Sequence, residues 1–158
     1  MLNQYRHPVR MNLWEVPAGL LDIDGEDPLV AAQRELAEEA DLQADTWNAL
    51  TDYFSSPGAT SEAGRVYLAR NLSELPAEER SERTEEEAEM TYRWVPLAEA
   101  VQLVLGGKVH NALAIQAVLA TYAAAQNNFE GLRPAEGGWE FHPYMGQRRE
   151  KPENFRNH

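Results

Sequence analysis

The chain has 158 residues, 43% of them hydrophobic and 25% charged, a composition that fits one globular domain able to bury a core. Its formal net charge of −12 argues against a general nucleic-acid or anionic-membrane binder, since both rely on clustered Lys and Arg, and an anionic substrate would need a metal or a placed arginine. The lack of cysteine removes disulfides, thiol nucleophiles and thiolate metal sites and fits a cytoplasmic location, and no signal peptide or membrane-length apolar run is present.

The opening MLNQYRHPV reads as a short strand that Pro8 ends. LWEVPAG, from Leu13 to Gly19, alternates apolar and polar residues before a Pro/Gly break, as a strand feeding a loop does. The loop LLDIDGEDP ends in Asp27-Pro28, an N-cap followed by proline at the first helical position. Leu29, Ala32, Leu36 and Ala40 then recur at helical spacing, so the helix buries that stripe and turns its glutamates another way. Asp41 is expected to end the helix in the left-handed region, where glycine is best and Asp is tolerated.

That helix carries the segment QRELAEEADL, in which Glu35 shares a face with both Glu38 and Glu39. Like charges at this spacing cost about 0.2–0.5 kcal/mol per pair in an isolated helix. Two readings remain open from the residues alone. One is a solvated acidic face relieved by Arg34 and by salt; the other is a site for a divalent cation, which prefers hard carboxylate oxygens.

Further along, TWNALTDYFSS (Thr46 to Ser56) is rich in strand formers and stops at Pro57-Gly58, and RVYLARNL (Arg65 to Leu72) reads as its antiparallel partner. SELPAEERSERTEEEAE is polar and dense in Glu, a loop that cannot build core. MTYRWVPL (Met90 to Leu97) resumes a strand, and LAEAVQLVLGG forms a short helix closed by Gly106-Gly107. An apolar helix spans about Asn111 to Ala125, and the remainder reads as a tail, either ordered by contact or disordered. Strands interleaved with helices indicate an α/β or α+β layered domain, with residues 1–130 as the domain and 131–158 as the tail. His7, His110, His142 and His158 lack metal-site spacing, and Trp14, Trp47, Trp94 and Trp139 are expected in core or interface packing.

The stretch GLLDIDGEDPLVAAQRELAEEADL, Gly19 to Leu42, resembles the Nudix box, G-x5-E-x7-R-E-U-x-E-E-x-G-U with U a bulky aliphatic residue. Glu26, Arg34, Glu35, Leu36, Glu38, Glu39 and Leu42 fall in register. Two departures stand out: six residues separate Gly19 from Glu26, and Asp41 replaces the glycine. The resemblance implies a Nudix fold, with a mixed sheet between helices, and a loop-helix-loop that holds Mg²⁺, or Mn²⁺, against a diphosphate. By position, Glu35 and Glu39 would be the principal ligands, Glu38 an additional one and the Ala18 carbonyl another. Arg34 would brace the glutamates and Glu26 would order the loop.

Pro57, sixteen residues after Asp41, together with SSPGATSE, QYRHP and LWEVPAG, is similar to the ADP-ribose pyrophosphatase subfamily. That likeness implies Mg²⁺-dependent hydrolysis of ADP-ribose to AMP and ribose 5-phosphate. It also implies a homodimer, Arg6 on a substrate phosphate, and a catalytic base in the acidic loop, where Glu87 is the first choice and Glu86 the second among Glu85, Glu86, Glu87 and Glu89. Strands preceding Leu2 are expected to be missing, so this polypeptide is expected to be weak or inactive. The alternatives are hydrolysis of another nucleotide sugar or an oxidised nucleotide, or a sensor that binds ADP-ribose without turnover; the intact Arg34, Glu35, Glu38 and Glu39 count against the sensor.

Overall fold

In the computed structural model, residues 1–80 and 91–142 are described. The first hairpin pairs β1 (Leu2–Arg6) with β2 (Met11–Glu15) in a register that sets Leu2 opposite Glu15 and Arg6 opposite Met11. Arg10 takes a positive φ of 54° in the connecting turn, and its N–H donates to the Arg6 carbonyl at 2.8 Å. An irregular loop then leads to α1 (Pro28–Ala40). Asp27 caps this helix by accepting from the Leu29 N–H at 2.8 Å, and Pro28 sits inside the first turn where its missing N–H is not needed. Asp41 closes it in the left-handed region, φ 55° and ψ 35°, with its own N–H returned to the Ala37 carbonyl.

No loop separates α1 from β3 (Leu42–Phe54), which pairs antiparallel with β4 (Ala63–Glu74) along nearly its whole length. The register slips once between Ala49 and Thr51, a bulge of the kind that bends and twists a long strand. The expected strand from Met90 shrinks to β5 (Thr91–Tyr92), because Pro96 cannot donate to a ladder and Leu97 already starts α2 (Leu97–Leu105). Asn111 caps α3 (Ala112–Gln126) through the Ala114 N–H at 2.9 Å. Finally β6 (Arg133–Pro134) adds to the free edge of β3, opposite Asn48 and Ala49.

The α/β layering stands, with the strands divided between two antiparallel sheets of order β2-β1-β5 and β4-β3-β6. Helix α1 packs on β3 and β4, while α3 touches β2 of one sheet and β3 and β4 of the other. Ala100, Val101 and Val118 form a core cluster joined by Val95, Leu97 and Val104. Leu36, Ala49 and Val66 are buried at the α1–sheet contact. Small residues on α1 and α3 (Ala31, Ala114, Ala117) are among the buried ones, so burial here is distributed over many small apolar groups. Among the tryptophans, Trp139 is buried, Trp14 and Trp47 are half-buried, and Trp94 is 65% exposed and so not part of the core. No helix among the described residues is long and apolar enough to cross a membrane.

Candidate active site

The site is built where the loop after β2 meets α1. The apolar stripe of α1 seats Leu36 and Ala40 against the sheet, and Glu39, adjacent to both, is drawn down with them to 9% exposure. The helix thus turns one of its glutamates toward the interior, where an isolated carboxylate would be costly. Its Oε2 is satisfied by the Ala18 N–H at 2.9 Å, which fixes the loop backbone against the helix. Beside it, Gly19 lies so close to Glu35 that a Cβ on Gly19 would fall within the Glu35 carboxylate. Glycine there leaves the Glu35 carboxylate its place, a matter of space and not of backbone conformation. At Gly25 the requirement is conformational, since a φ of 79° lets the loop turn and the Glu26 N–H reach the Ile23 carbonyl at 3.1 Å.

Arg34 is the hub of this corner. Its Nε and Nη2 donate to the two oxygens of Glu26 at 3.1 and 3.2 Å, and its Nη1 donates to Glu35 at 2.7 Å and to Glu38 at 3.1 Å. Asp22 adds a longer contact at 4.0 Å. The guanidinium is therefore held protonated more firmly than usual, first by Glu26 and then by Glu35 and Glu38. One cation nonetheless serves several acids. Burial pushes the Glu35 carboxyl up from its ordinary value, Arg34 pulls it back, and Glu38 and Asp22 add to the rise, so the corner carries more negative charge than its arginine offsets.

Hard carboxylate oxygens at a partly buried, acid-rich corner are the donor type that Mg²⁺ or Mn²⁺ takes, so Glu35, Glu38 and Glu39 fit such an ion in kind. Among the described residues no three acidic or imidazole groups already converge as a cage. The oxygens are turned instead to Arg34 and to the Ala18 N–H. A cavity of about 510 Å³ opens beside this corner, with Gly19, Glu35, Tyr67, Trp139 and His142 among its lining residues.

The other sequence-predicted residues lie as follows. Arg6 forms a two-point ion pair with Glu15, Nε to Oε1 at 3.0 Å and Nη2 to Oε2 at 2.7 Å. Pro57 sits in the exposed turn between β3 and β4, whose Ala59 and Thr60 N–H groups both return to the Ser56 carbonyl at 2.9 Å. Glu85, Glu86, Glu87 and Glu89 lie outside the described residues. His7 packs on Tyr5 and His142 on Trp139.

Two features escaped the sequence reading. One is Glu15, only 5% exposed; its signal was the period of two that places it on the same strand face as Leu13. The other is a second arginine–carboxylate cluster. Arg65 forks onto Asp52 at 2.7 and 3.1 Å, Arg133 reaches the same Asp52 at 2.7 Å, and Arg65 also donates to the Gly137 and Gly138 carbonyls. Its guanidinium lies 5.0 Å from the Trp139 ring centroid, so the segment after Gly131 is tied down on the sheet by charge and aromatic contact together.

A two-sheet α/β fold that sets a loop and a glutamate-bearing helix around one arginine defines a class of α/β protein with an acid-rich corner. The comparisons give that class its family. The NUDIX domain profile matches residues 1–116, and the chain belongs to the Nudix family. It is 48% identical over 139 residues to an ADP-ribose pyrophosphatase of Mycobacterium tuberculosis, covering 88% of this chain and 65% of that protein. It is 36% identical over 118 residues to an ADP-ribose pyrophosphatase of Bacillus subtilis, covering 75% of this chain and 62% of the relative. This chain thus spans a little under two thirds of the length of these relatives. A crystal structure described as an ADP compounds hydrolase superposes with a TM-score of 0.67 at 22% identity, over 80% of this chain and 65% of that one, a likeness of fold.

Proposed function

We propose that the protein hydrolyses ADP-ribose to AMP and ribose 5-phosphate, with Mg²⁺ as the working cation and Mn²⁺ able to replace it. The observation that carries this reading is the corner in which Arg34 holds Glu35 and Glu38 while Glu35 and Glu39 meet the loop at Gly19 and Ala18. The names of the two bacterial relatives support the substrate. One water is consumed: its oxygen joins one phosphorus, the bridging oxygen leaves with the other phosphoryl group, and the water's protons are released.

In this reading Glu35 and Glu39 are the principal holders of the cation, Glu38 is an additional holder, and the Ala18 carbonyl completes the protein's share. When bound, the cation neutralises phosphate charge and makes a bound water more acidic. Arg34 keeps the acids apart and aimed, Glu26 and Gly19 order the loop, and Pro57 ends the strand at the site's edge. Arg6 holds a substrate phosphate. Glu87, with Glu86 as second choice, takes the proton of the attacking water. The working form is a cytoplasmic homodimer acting on a small molecule, with neither nucleic acid nor membrane as partner.

The test is AMP release across ADP-ribose, nucleotide sugars and oxidised nucleotides with and without Mg²⁺. A rate on ADP-ribose below that on nucleotide sugars overturns the substrate, and binding without AMP release turns the reading into the sensor. Glu87→Gln should lower turnover by about 10²–10⁴ while Mn²⁺ binding persists. If Glu86→Gln does so instead, the base is Glu86.

A further inference from the structure

We propose that Glu15 is a positioning residue that orients the Arg6 guanidinium toward a substrate phosphate beside the glutamate corner. This rests on the diphosphate reading above.

Among the described residues two acidic residues are buried as whole residues, Glu39 at 9% exposure and Glu15 at 5%. Glu39 belongs to the site, so the second deserves an account. Glu15 ends β2, and three residues later the Ala18 N–H donates to Glu39. Three residues of chain reach at most about 11 Å, which places Glu15 near the site by covalent tether alone.

The pair with Arg6 is asymmetric. The Glu15 side chain is 6% exposed, whereas Arg6 is 41% exposed. The carboxylate is the fixed member, and it dictates how the guanidinium is presented at the surface. Its two contacts, at 3.0 and 2.7 Å, engage Nε and Nη2 together and so fix the guanidinium plane as well as its position. Arg6 and Glu15 are not opposite each other in the hairpin register, where Arg6 faces Met11 and Glu15 faces Leu2, so the pair reaches along the strand face. A buried acid that holds an exposed arginine in one plane, at the end of a strand leading within three residues to the backbone that meets Glu39, is the arrangement expected of a support for anion recognition.

The experiment compares the parent chain with Glu15→Gln and Arg6→Ala, singly and together. It reads Mg²⁺-dependent ADP-ribose hydrolysis, calorimetric titration with inorganic pyrophosphate, Mn²⁺ affinity and the melting temperature. Glu15→Gln should raise KM and weaken pyrophosphate binding by about tenfold, the scale seen when a supporting partner of a binding group is lost. Its kcat and Mn²⁺ affinity should stay near the parent's. In the Arg6→Ala background it should add nothing to KM, an outcome a merely structural role does not produce. Should Glu15→Gln melt early, Arg6→Lys keeps the charge, removes the fork, and must reproduce the KM rise.

An unchanged KM and pyrophosphate affinity in Glu15→Gln, an equal effect with and without Arg6, or loss of Mn²⁺ affinity overturns the proposal. A parent chain that cleaves no ADP-ribose bears on the substrate reading and not on Glu15. The pyrophosphate titration then decides Glu15 alone: a tenfold loss supports it, and equal or absent binding in parent and variant rejects it.

Discussion

The corner around Arg34 and the cluster around Asp52 use the same two chemical groups in opposite proportion. At the first, one guanidinium answers Glu26, Glu35 and Glu38, with Asp22 close by. At the second, one carboxylate answers Arg65 and Arg133, and the remaining Arg65 donors end on two backbone carbonyls and an aromatic face. The titration shifts follow that balance. Burial alone would raise both acids; at Glu35 the rise survives Arg34, whereas at Asp52 the two arginines overcome it and hold the carboxyl below its ordinary value. An acid-rich network is open to a further cation, and a network whose cations exceed its acids, with its buried arginine's donors turned to a carboxylate and backbone carbonyls, is a fastening. Arginine–carboxylate clustering by itself therefore says little about function; the sign of the imbalance says more.

Three perturbations break or sharpen this contrast. The largest effect is expected at the first region from Gly19→Ala, because the added methyl must push Glu35 out of place. Misplacing a group at the reacting centre by about 1 Å costs on the order of 10² in rate, so kcat/KM on ADP-ribose should fall by about that factor. The melting temperature should hold if the loop, which is exposed, absorbs the shift. If the fold collapses and activity per folded molecule does not fall, the two regions do not differ as described.

At the second region, Asp52→Asn should act the other way round. It strips the charge partner from Arg65, whose side chain is only 4% exposed, and should cost about 2–3 kcal/mol of stability on the scale of charged hydrogen bonds. Denaturant unfolding measures it. Activity per folded molecule and the rise in melting temperature on adding Mg²⁺ should both be retained.

The smallest effect is on pH dependence, and there the two regions should move stability in opposite directions. Asp52 titrates below its ordinary 3.8 in the folded protein, so the unfolded chain binds more protons and its contribution, complete above that value, is lost as pH falls through the lower folded value. Glu35 titrates above its ordinary 4.5, so the folded protein binds more protons and stability rises as pH falls toward 4.5 from above. Unfolding free energies measured against pH should lose the first dependence in Asp52→Asn and the second in Glu35→Gln.

What could be read in advance was local. Asp27, Pro28 and Asp41 state the bounds of α1 because capping and left-handed closure depend on neighbours a few residues away. The box spacing likewise brought Glu26, Arg34, Glu35, Glu38 and Glu39 into one list, and all five prove to share the same corner. The burial of Glu39 was not legible, because a run of glutamates looks alike until the sheet beneath selects one of them. Nor was the Asp52 cluster, whose members lie at 52, 65, 133 and 139 and meet only through the β3–β4 ladder and the return of the chain at β6. The strand expected over Met90 to Leu97 ends, in its described part, at Tyr92, short of Pro96, whose missing N–H bars it from a ladder.

Asp41 does more than end a helix. Its N–H turns back into α1, its carbonyl accepts from Leu75 at 2.9 Å beyond the end of β4, and the very next residue opens β3. Glu39 is thus welded, two residues away, to the longest ladder in the molecule, while the Ala18 backbone it holds belongs to a stretch without regular structure between Glu15 and Pro28. The irregular stretch therefore takes its place from the sheet: the backbone at Ala18 is held by a side chain whose helix is tied at Asp41 into the β3–β4 pair.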